Sequence, residues 1–226
     1  TSEPILRHAI TMTGELVDCF SDRHIGVNAI MALLSQVLNC ADILVFAGPK
    51  GLQAIDTIEA LDYEIVASAN WLASAQFCAN YLTSGLFIDV GSTTTDILCF
   101  SHGNVDYLGF SDYERLCSQE LVYTGIVRTP VMAITQSIPA PVHCAVDQCA
   151  SNKQTVSVVA EYFATMSDVY RLTGELNEAH DQTRPADGGE KTPIASARRL
   201  ARMIGCDFRN DLSRWQTIAS YLRTVQ

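Results

Sequence analysis

Apolar and polar positions in the first half of the chain follow two periods, one typical of helices and one typical of strands. Apolar side chains recur three and four apart over residues 26–39 and again over 70–81, which predicts two helices, with Asn70 as a candidate N-cap. Short apolar runs at 5–13 and 42–46 predict strands on either side of the first helix. This order of strand, helix, strand and helix is typical of α/β proteins.

The second half has shorter apolar runs with turn residues between them. Runs at 86–100, 105–110 and 121–127 predict an antiparallel meander. Weaker patterns complete the assignment with a helix at 52–61, a strand at 63–66, loops at 131–152 and 175–190, and a helix at 156–170. A last helical region begins at Thr192-Pro193 and includes residues 196–204. We therefore expect an α/β chain with two subdomains, residues 1–84 and 85–226.

Residues 86–100 contain the strongest candidate ligand contacts. Two apolar strands flank a turn with one glycine and four hydroxyl side chains, Gly91, Ser92, Thr93, Thr94 and Thr95. The glycine allows close approach of a ligand, and N–H and hydroxyl groups suit the acceptor oxygens of a phosphate. Asp89 and Asp96 flank the turn and offer hard oxygen ligands to Mg²⁺. The same pattern also fits an ordinary Ser/Thr turn capped by two acids.

Composition narrows the partners and the compartment. The 226 residues are 48% hydrophobic, which allows an ample core, and the net charge of −10 argues against binding to a nucleic-acid backbone. No apolar run has membrane length, and the eight cysteines form no C-x-x-C pair, which predicts a reduced, cytoplasmic protein. The low charge leaves room for a homodimer interface. His143, Cys144 and Cys149 offer three soft ligands without an evident fourth, so zinc is not favoured.

The turn sequence D-V-G-S-T-T-T-D resembles the second phosphate-binding hairpin of the sugar kinase, heat-shock chaperone and actin superfamily. Further motifs resemble one family, the hydantoinase/oxoprolinase-like proteins linked to tetrahydromethanopterin one-carbon metabolism. These motifs are T-G-E-L-V-D-C-F, E-L-V-Y-T-G-I-V-R-T-P-V, E-Y-F-A-T-M-S-D-V-Y, A-D-G-G-E-K-T and R-R-L-A-R-M-I-G. The resemblance implies a ribonuclease-H-like fold of the actin and sugar-kinase type. Family members carry an earlier D-x-G-G-type hairpin, and none precedes Thr13, so we expect the first subdomain to be incomplete at its N-terminus.

The resemblance also implies an alkyl transfer in methanofuran synthesis. The phenol oxygen of a glutamylated tyramine would displace pyrophosphate from an aminomethyl-furanyl-methyl diphosphate. Mg²⁺ and the hairpin would stabilise the charge on the leaving diphosphate. Two alternatives stay open. One is an ATP-dependent phosphotransferase or ATPase, which the superfamily hairpin allows, and the other is a non-catalytic subunit, which the missing first hairpin favours.

Residues within the matching motifs are the candidates for this site. We expect Glu15, Asp89 and Arg128 to act in catalysis, and Asp89 and Asp96 to bind the metal. The turn 91–95 would hold the phosphates. Glu15 also has a structural alternative as an acid at a helix N-terminus, and Arg128 has one as a structural ion pair.

Further contacts are expected from residues outside the hairpin. Lys50 would reach a phosphate, although a solvated loop lysine fits its setting equally well. Substrate contacts are expected from Thr124, Gly125, Glu161, Asp168 and Asp187. Glu161 and Asp168 are seven residues apart and would share one face of the predicted helix. Their structural alternative is to cap the helix and pair with neighbouring arginines.

Overall fold

The computed structural model describes residues 7–38, 42–140 and 155–226, and this part of the chain divides into two compact units. The first unit comprises described residues up to 89 together with 96–122, and the second comprises 90–95 and the described residues from 123 onward. The strands of the central hairpin thus belong to the first unit and its tip to the second. The predicted subdomain boundary at residue 85 concerns the family fold and stays a prediction. His143, Cys144 and Cys149 lie outside the described residues.

The first unit begins with two parallel strands joined by a helix. Strand β1 (His8–Ile10) pairs with the strand that follows helix α1 (Arg23–Leu38), namely β2 (Ile43–Phe46). Val27 and Met31 of α1 are buried in one apolar cluster with side chains of β2. The predicted order of strand, helix and strand is confirmed, and burial of one helix face against the strands stabilises it.

The next two elements differ from the sequence prediction. Residues 52–61 begin as strand β3 (Leu52–Ala54), which is antiparallel to β2, and residues 63–66 form the short helix α2 (Tyr63–Val66). The predictions of a helix at 52–61 and a strand at 63–66 are therefore wrong. Gly48 and Gly51 have positive φ angles of 51° and 68°, which reverse the chain directly after β2 and return it along that strand.

The predicted helix at 70–81 is confirmed as α3 (Asn70–Tyr81). Its N-cap prediction is wrong, because the N–H groups of Leu72 and Ala73 both donate to the carbonyl of Ala69. Ala69 therefore occupies the cap position, and Asn70 is the first helical residue.

The predicted meander is confirmed in part, because its last two strands are shorter than predicted and the last one does not pair with the strand before it. The elements are β4 (Ser84–Val90), β5 (Thr95–Ser101), β6 (Asn104–Asp106), α4 (Asp112–Ser118) and β7 (Leu121–Val122). β5 lies between β4 and β6, and β7 also pairs with β5. The prediction of a strand over 121–127 is wrong beyond residue 122. From residue 126 the backbone N–H groups bond the hairpin tip instead of a strand.

The second unit is mainly helical. Its elements are α5 (Val131–Ile134), the antiparallel strands β8 (Ser137–Pro139) and β9 (Thr155–Ser157), α6 (Met166–Thr173), α7 (Pro193–Arg202) and α8 (Leu212–Val225). Helix α6 packs against both α7 and α8 around an apolar cluster that includes Val169, Leu200 and Leu222. Within the described ranges, no helix is both long and apolar enough to cross a membrane.

The predicted helix at 156–170 is wrong in its first half. Residues 155–157 form β9, and helix α6 begins only at Met166, after a capping box in which Thr165 and Asp168 bond each other's backbone. The helical region predicted to begin at Thr192-Pro193 is confirmed as α7, which Thr192 caps and which has Pro193 in its first turn.

Candidate functional site

The tip of the central hairpin is a tight turn with exposed polar groups. Within it, the Gly91 N–H donates to the Thr94 carbonyl at 2.8 Å, and the hydroxyls of Ser92 and Thr93 lie 3.3 Å apart. Among the described residues, no acceptor receives the backbone N–H of Ser92, Thr93 or Thr94. Neighbouring backbone N–H groups in a turn can bind an anion when they face it together.

A second segment, residues 124–129, holds this tip from one side. The Ile126 N–H donates to the Gly91 carbonyl at 3.1 Å, and the N–H groups of Val127 and Arg128 donate to the Ser92 carbonyl at 3.1 and 2.8 Å. These bonds use the carbonyl oxygens of the tip. The segment therefore fixes the turn through the carbonyl oxygens of the turn and does not use the N–H groups of Ser92, Thr93 and Thr94.

Gly125 is required for this close packing. A Cβ atom at residue 125 would lie 2.5 Å from the Thr93 nitrogen and 2.6 Å from the Gly91 oxygen. Both are backbone atoms, which have no freedom to rotate away. The Thr124 carbonyl meanwhile accepts from the Thr95 hydroxyl at 2.7 Å, and the Gly125 N–H donates to the buried Thr129 hydroxyl at 2.7 Å. Thr124 and Gly125 thus support the turn through their backbones.

Arg128 has an exposed side chain, and its backbone is hydrogen-bonded to the tip. Its backbone N–H bonds the Ser92 carbonyl, and its side chain forms no ion pair with any residue in the described ranges. The alternative of a structural ion pair for Arg128 thus finds no partner in the described part of the chain. The Arg128 backbone is thus bonded to the tip, and a guanidinium without a partner among the described residues suits a phosphate or diphosphate.

Of the two acids that flank the tip, Asp89 is exposed and Asp96 is half-buried in the first unit. Oδ1 of Asp96 accepts from Nη2 of Arg115 at 2.7 Å, and Arg115 is itself buried and stacked 4.0 Å above the Trp71 ring. Burial raises the pKa of Asp96, the Arg115 guanidinium opposes this, and the negative charge of Asp89 raises the pKa further.

The donor set of these acids fits Mg²⁺. Mg²⁺ is usually held by one or two carboxylates together with substrate phosphates. Asp89 is exposed, and no donor among the described residues reaches Oδ2 of Asp96. Within the same residues, no group of three or more His, Cys, Asp or Glu side chains is arranged for a metal ion. Asp89 and Asp96 would thus hold Mg²⁺ only together with oxygen atoms of a ligand.

Glu15 is deeply buried in the first unit, with 2% of its surface exposed. Its Oε1 accepts from the backbone N–H of Ser68 at 2.8 Å and from the Ser68 hydroxyl at 3.2 Å. Ser68 has a positive φ of 54°, which is uncommon for a residue other than glycine. Oε2 of Glu15 is buried and has no partner. The alternative of an exposed helix-end acid therefore does not describe Glu15.

Lys50 makes an ion pair with Asp62 at 2.6 Å at the surface of the first unit. The hydrogen bond from Lys50 is the main cause that lowers the pKa of Asp62. Its predicted contact with a phosphate stays a prediction.

The predicted acids of the second unit lie in different settings. Glu161 is exposed in a bend before α6, so the prediction that it shares a helix face with Asp168 is wrong. The helix begins after Thr165, and Glu161 therefore precedes it. Asp187 lies on the loop before α7, where Arg199 donates to it at 3.1 Å and the Gly189 N–H at 3.0 Å.

Asp168 is the centre of a buried ionic cluster, which we define as Asp168, Arg171, Asp181, Ser196 and Arg199. Oδ1 of Asp168 accepts from Nε of Arg199 at 2.8 Å and from the Ser196 hydroxyl at 2.7 Å. Arg171 pairs with Asp181 at 2.7 Å. These side chains satisfy one another, which is the condition for retaining charges inside a protein.

Sequence reasoning missed three arginines that position predicted acids. Arg115 orients Asp96, while Arg171 and Arg199 surround Asp168. The only sequence signal was the spacing of Arg199 and Arg202 on a predicted helix, which is typical of a solvated face. A buried partner for a given charge depends on tertiary contacts, which helical periodicity does not reveal.

Comparison with known proteins decides the family. The family model for Hydantoinase/oxoprolinase matches residues 7–221. The chain belongs to the hydantoinase/oxoprolinase family. This confirms the resemblance drawn from the motifs.

Two curated relatives carry the same name, "(4-{4-[2-(gamma-L-glutamylamino)ethyl]phenoxymethyl}furan-2-yl)methanamine synthase". The protein from Methanocaldococcus jannaschii is 28% identical over 200 residues, which are 88% of this chain and 56% of that relative. The protein from Methanococcus vannielii is 28% identical over 134 residues, which are 59% of this chain and 54% of that relative. The chain thus spans about half the length of the curated relatives it matches.

Proposed function

We propose that this chain provides the diphosphate-binding part of a transferase that forms an aryl ether in methanofuran-type cofactor synthesis. The name of the two relatives describes a furan joined through a methylene to a phenol oxygen. The observation that carries the proposal here is the hairpin tip, with three N–H groups that have no acceptor among the described residues, next to the unpaired Arg128. We also propose the ribonuclease-H-like architecture of actin and the sugar kinases, which the hairpin motif implies.

The proposed reaction exchanges one carbon–oxygen bond for another. The phenol oxygen of a glutamylated tyramine forms a bond to the methylene carbon of an aminomethyl-furanyl-methyl diphosphate. The bond from that carbon to the diphosphate oxygen breaks, and pyrophosphate leaves with the bonding electrons. The phenol proton passes to a base, for which Glu15 is our sequence-based candidate.

The tip and Arg128 stabilise the negative charge that accumulates on the leaving diphosphate. Asp89 and Asp96 would hold Mg²⁺ together with oxygen atoms of the ligand, and the ion would neutralise part of that charge. Arg115 keeps Asp96 oriented, so that Oδ2 stays available.

Calorimetry of the protein with Mg²⁺ tests this proposal, with pyrophosphate and ATP compared as ligands. We expect pyrophosphate to bind more tightly than ATP. Tighter binding of ATP would identify a phosphotransferase or ATPase instead. The absence of binding by both ligands would contradict a diphosphate site in this chain and favour a non-catalytic role. Formation of the ether from the two proposed substrates, followed by mass spectrometry, then tests the transferase reaction directly.

A further inference from the structure

Gln226 caps the C-terminal end of α8, and its side-chain amide reaches the segment that holds the hairpin tip. Nε2 of Gln226 donates to the Thr124 hydroxyl oxygen at 2.6 Å and to the Gly125 carbonyl at 3.1 Å. Oε1 of Gln226 accepts from the Tyr170 hydroxyl at 3.0 Å. Both N–H groups and the oxygen of this amide thus have partners, which leaves the side chain one orientation.

The Tyr170 hydroxyl on α6 donates a hydrogen bond to Oε1 of Gln226 and thereby fixes the orientation of this amide. Burial raises the pKa of Tyr170, and the negative charge of Glu175 raises it further, while Arg223 opposes the rise. The hydroxyl therefore keeps its proton throughout the neutral range. It remains able to donate to Oε1 of Gln226.

Gly125 in turn packs directly against the backbone of the tip. The Gly125 backbone lies directly against Gly91, Ser92 and Thr93, because even one added carbon atom would come within 2.6 Å of their backbone atoms. The Thr124 carbonyl is also bonded by the Thr95 hydroxyl at 2.7 Å. A displacement of residues 124 and 125 is therefore passed to the tip, since close-packed backbone leaves no slack.

We infer that Gln226, oriented by Tyr170, is a positioning residue for the anion-binding tip. It lies outside the motif residues assigned to the site, and in the described part of the chain its side-chain hydrogen bonds go to Tyr170, Thr124 and Gly125 and not to residues 91–94. It acts by holding Thr124 and Gly125, whose backbones set the direction of the free N–H groups. The inference rests on the proposed function, because it assigns a role at the same diphosphate site.

Two measurements on the protein test this role. The first is calorimetric titration with inorganic pyrophosphate and Mg²⁺, and the second is amide hydrogen exchange at Ile126, Val127 and Arg128, whose N–H groups bond the tip. In Gln226→Ala we expect pyrophosphate affinity to fall about fivefold to tenfold, as loss of hydrogen bonds of ordinary strength predicts. Exchange at the three amides should become faster. Gln216→Ala, an exposed glutamine on the same helix, is the matched control and should change neither quantity.

Tyr170→Phe separates positioning from general stability. This variant removes only the hydroxyl donor, and we expect a loss of affinity of about twofold to threefold. Combined with Gln226→Ala it should add no further loss, because both act through the same amide. Independent structural effects would instead multiply. Should Gln226→Ala fail to fold, Tyr170→Phe alone carries both measurements.

The outcomes of the two measurements distinguish this inference from the proposed function. Absence of pyrophosphate binding by the wild-type protein contradicts the proposed function, and amide exchange then decides the positioning role alone. Where the wild-type protein does bind, unchanged affinity or unchanged exchange in Gln226→Ala overturns the inference and leaves the proposed function standing.

Discussion

Two polar groups of the second unit differ in how far their hydrogen-bonding atoms have partners. The buried ionic cluster around Asp168 contains two arginines and two aspartates, and each has partners inside the protein. The hairpin tip has hydroxyls and N–H groups, and the backbone donors of Ser92, Thr93 and Thr94 have no acceptor among the described residues. Both groups are expected from the sequence to contact a ligand.

The two groups differ in whether their hydrogen-bonding atoms already have partners inside the protein. Arg199 has no exposed surface and Asp168 has 2%, so a ligand would have to displace existing partners to reach them. The carbonyl oxygens of the tip instead accept hydrogen bonds from the 124–129 segment, and three N–H groups of the tip have no acceptor among the described residues. We therefore expect changes in the ionic cluster to alter stability and changes around the tip to alter anion affinity.

The largest expected effect is the loss of stability in Asp168→Ala. This change leaves the charges of Arg199 and Arg171 without their shared carboxylate, and we expect a loss of about 3 to 5 kcal/mol in the free energy of unfolding. Urea unfolding measures the loss, and Glu161→Ala, an exposed acid near the same helix, should stay within about 0.5 kcal/mol of wild type. A stable Asp168→Ala protein that no longer binds pyrophosphate would reverse the assignment of the two groups.

Gly125→Ala should affect both stability and binding. The added methyl group would overlap the backbone of Gly91 and Thr93, and relief of such overlap costs about 1 to 3 kcal/mol. Because the tip must shift to relieve it, we also expect pyrophosphate binding to be lost in calorimetry. Gly14→Ala is the control, since its methyl group would lie 3.7 Å from the Ile30 side chain, an ordinary contact. Retained binding in Gly125→Ala would contradict a rigid tip.

Arg128→Ala should weaken binding and leave stability unchanged. Its exposed guanidinium has no partner among the described residues, so we expect unfolding within about 0.5 kcal/mol of wild type. Loss of a charge-assisted hydrogen bond should lower pyrophosphate affinity by about 1.5 to 3 kcal/mol, at least tenfold. Arg198→Ala, an exposed arginine on α7, should bind as wild type does. Equal affinity in both variants would remove Arg128 from the site.

The smallest expected effect concerns Asp187 and pH. Partial burial raises the pKa of Asp187, but the Gly189 N–H and the charges of Arg199 and Arg202 outweigh it, so the pKa is lowered. A lowered pKa in the folded state means stability that is present above the ordinary pKa of aspartate and is lost as the pH falls through the lowered one. Urea unfolding should show wild type more stable than Asp187→Asn at pH 7 by less than about 1 kcal/mol, with the difference closing toward pH 2.

Asp207→Asn, at an exposed position after α7, serves as the control for this pH dependence. Pyrophosphate binding should be the same in Asp187→Asn and wild type. A large loss of binding in Asp187→Asn would show that the loop acid contacts the ligand, and Asp187 would then belong with the tip.

Elements with long periodic patterns were predictable from sequence, and elements set by turns were not. Helices α1, α3 and α7 follow from apolar spacing, because burial of one face decides them. The strand β3 was not predictable, since its direction depends on the positive φ angles of Gly48 and Gly51. The late start of α6 depends on the Thr165 and Asp168 capping box, which lay unnoticed within a longer apolar pattern.

The sequence by itself determined the family, the mixed α/β class and the hairpin with its glycine and hydroxyl run, because these depend on local order along the chain. Only the tertiary structure decided which polar residues have partners. Asp168 and Asp187 are both expected from the sequence to contact substrate, yet Asp168 is buried between Arg199 and Ser196, whereas Asp187 is partly exposed on a loop. Whether a charge is free to bind a ligand depends on residues distant in the chain, since burial and partnership arise only when the elements pack.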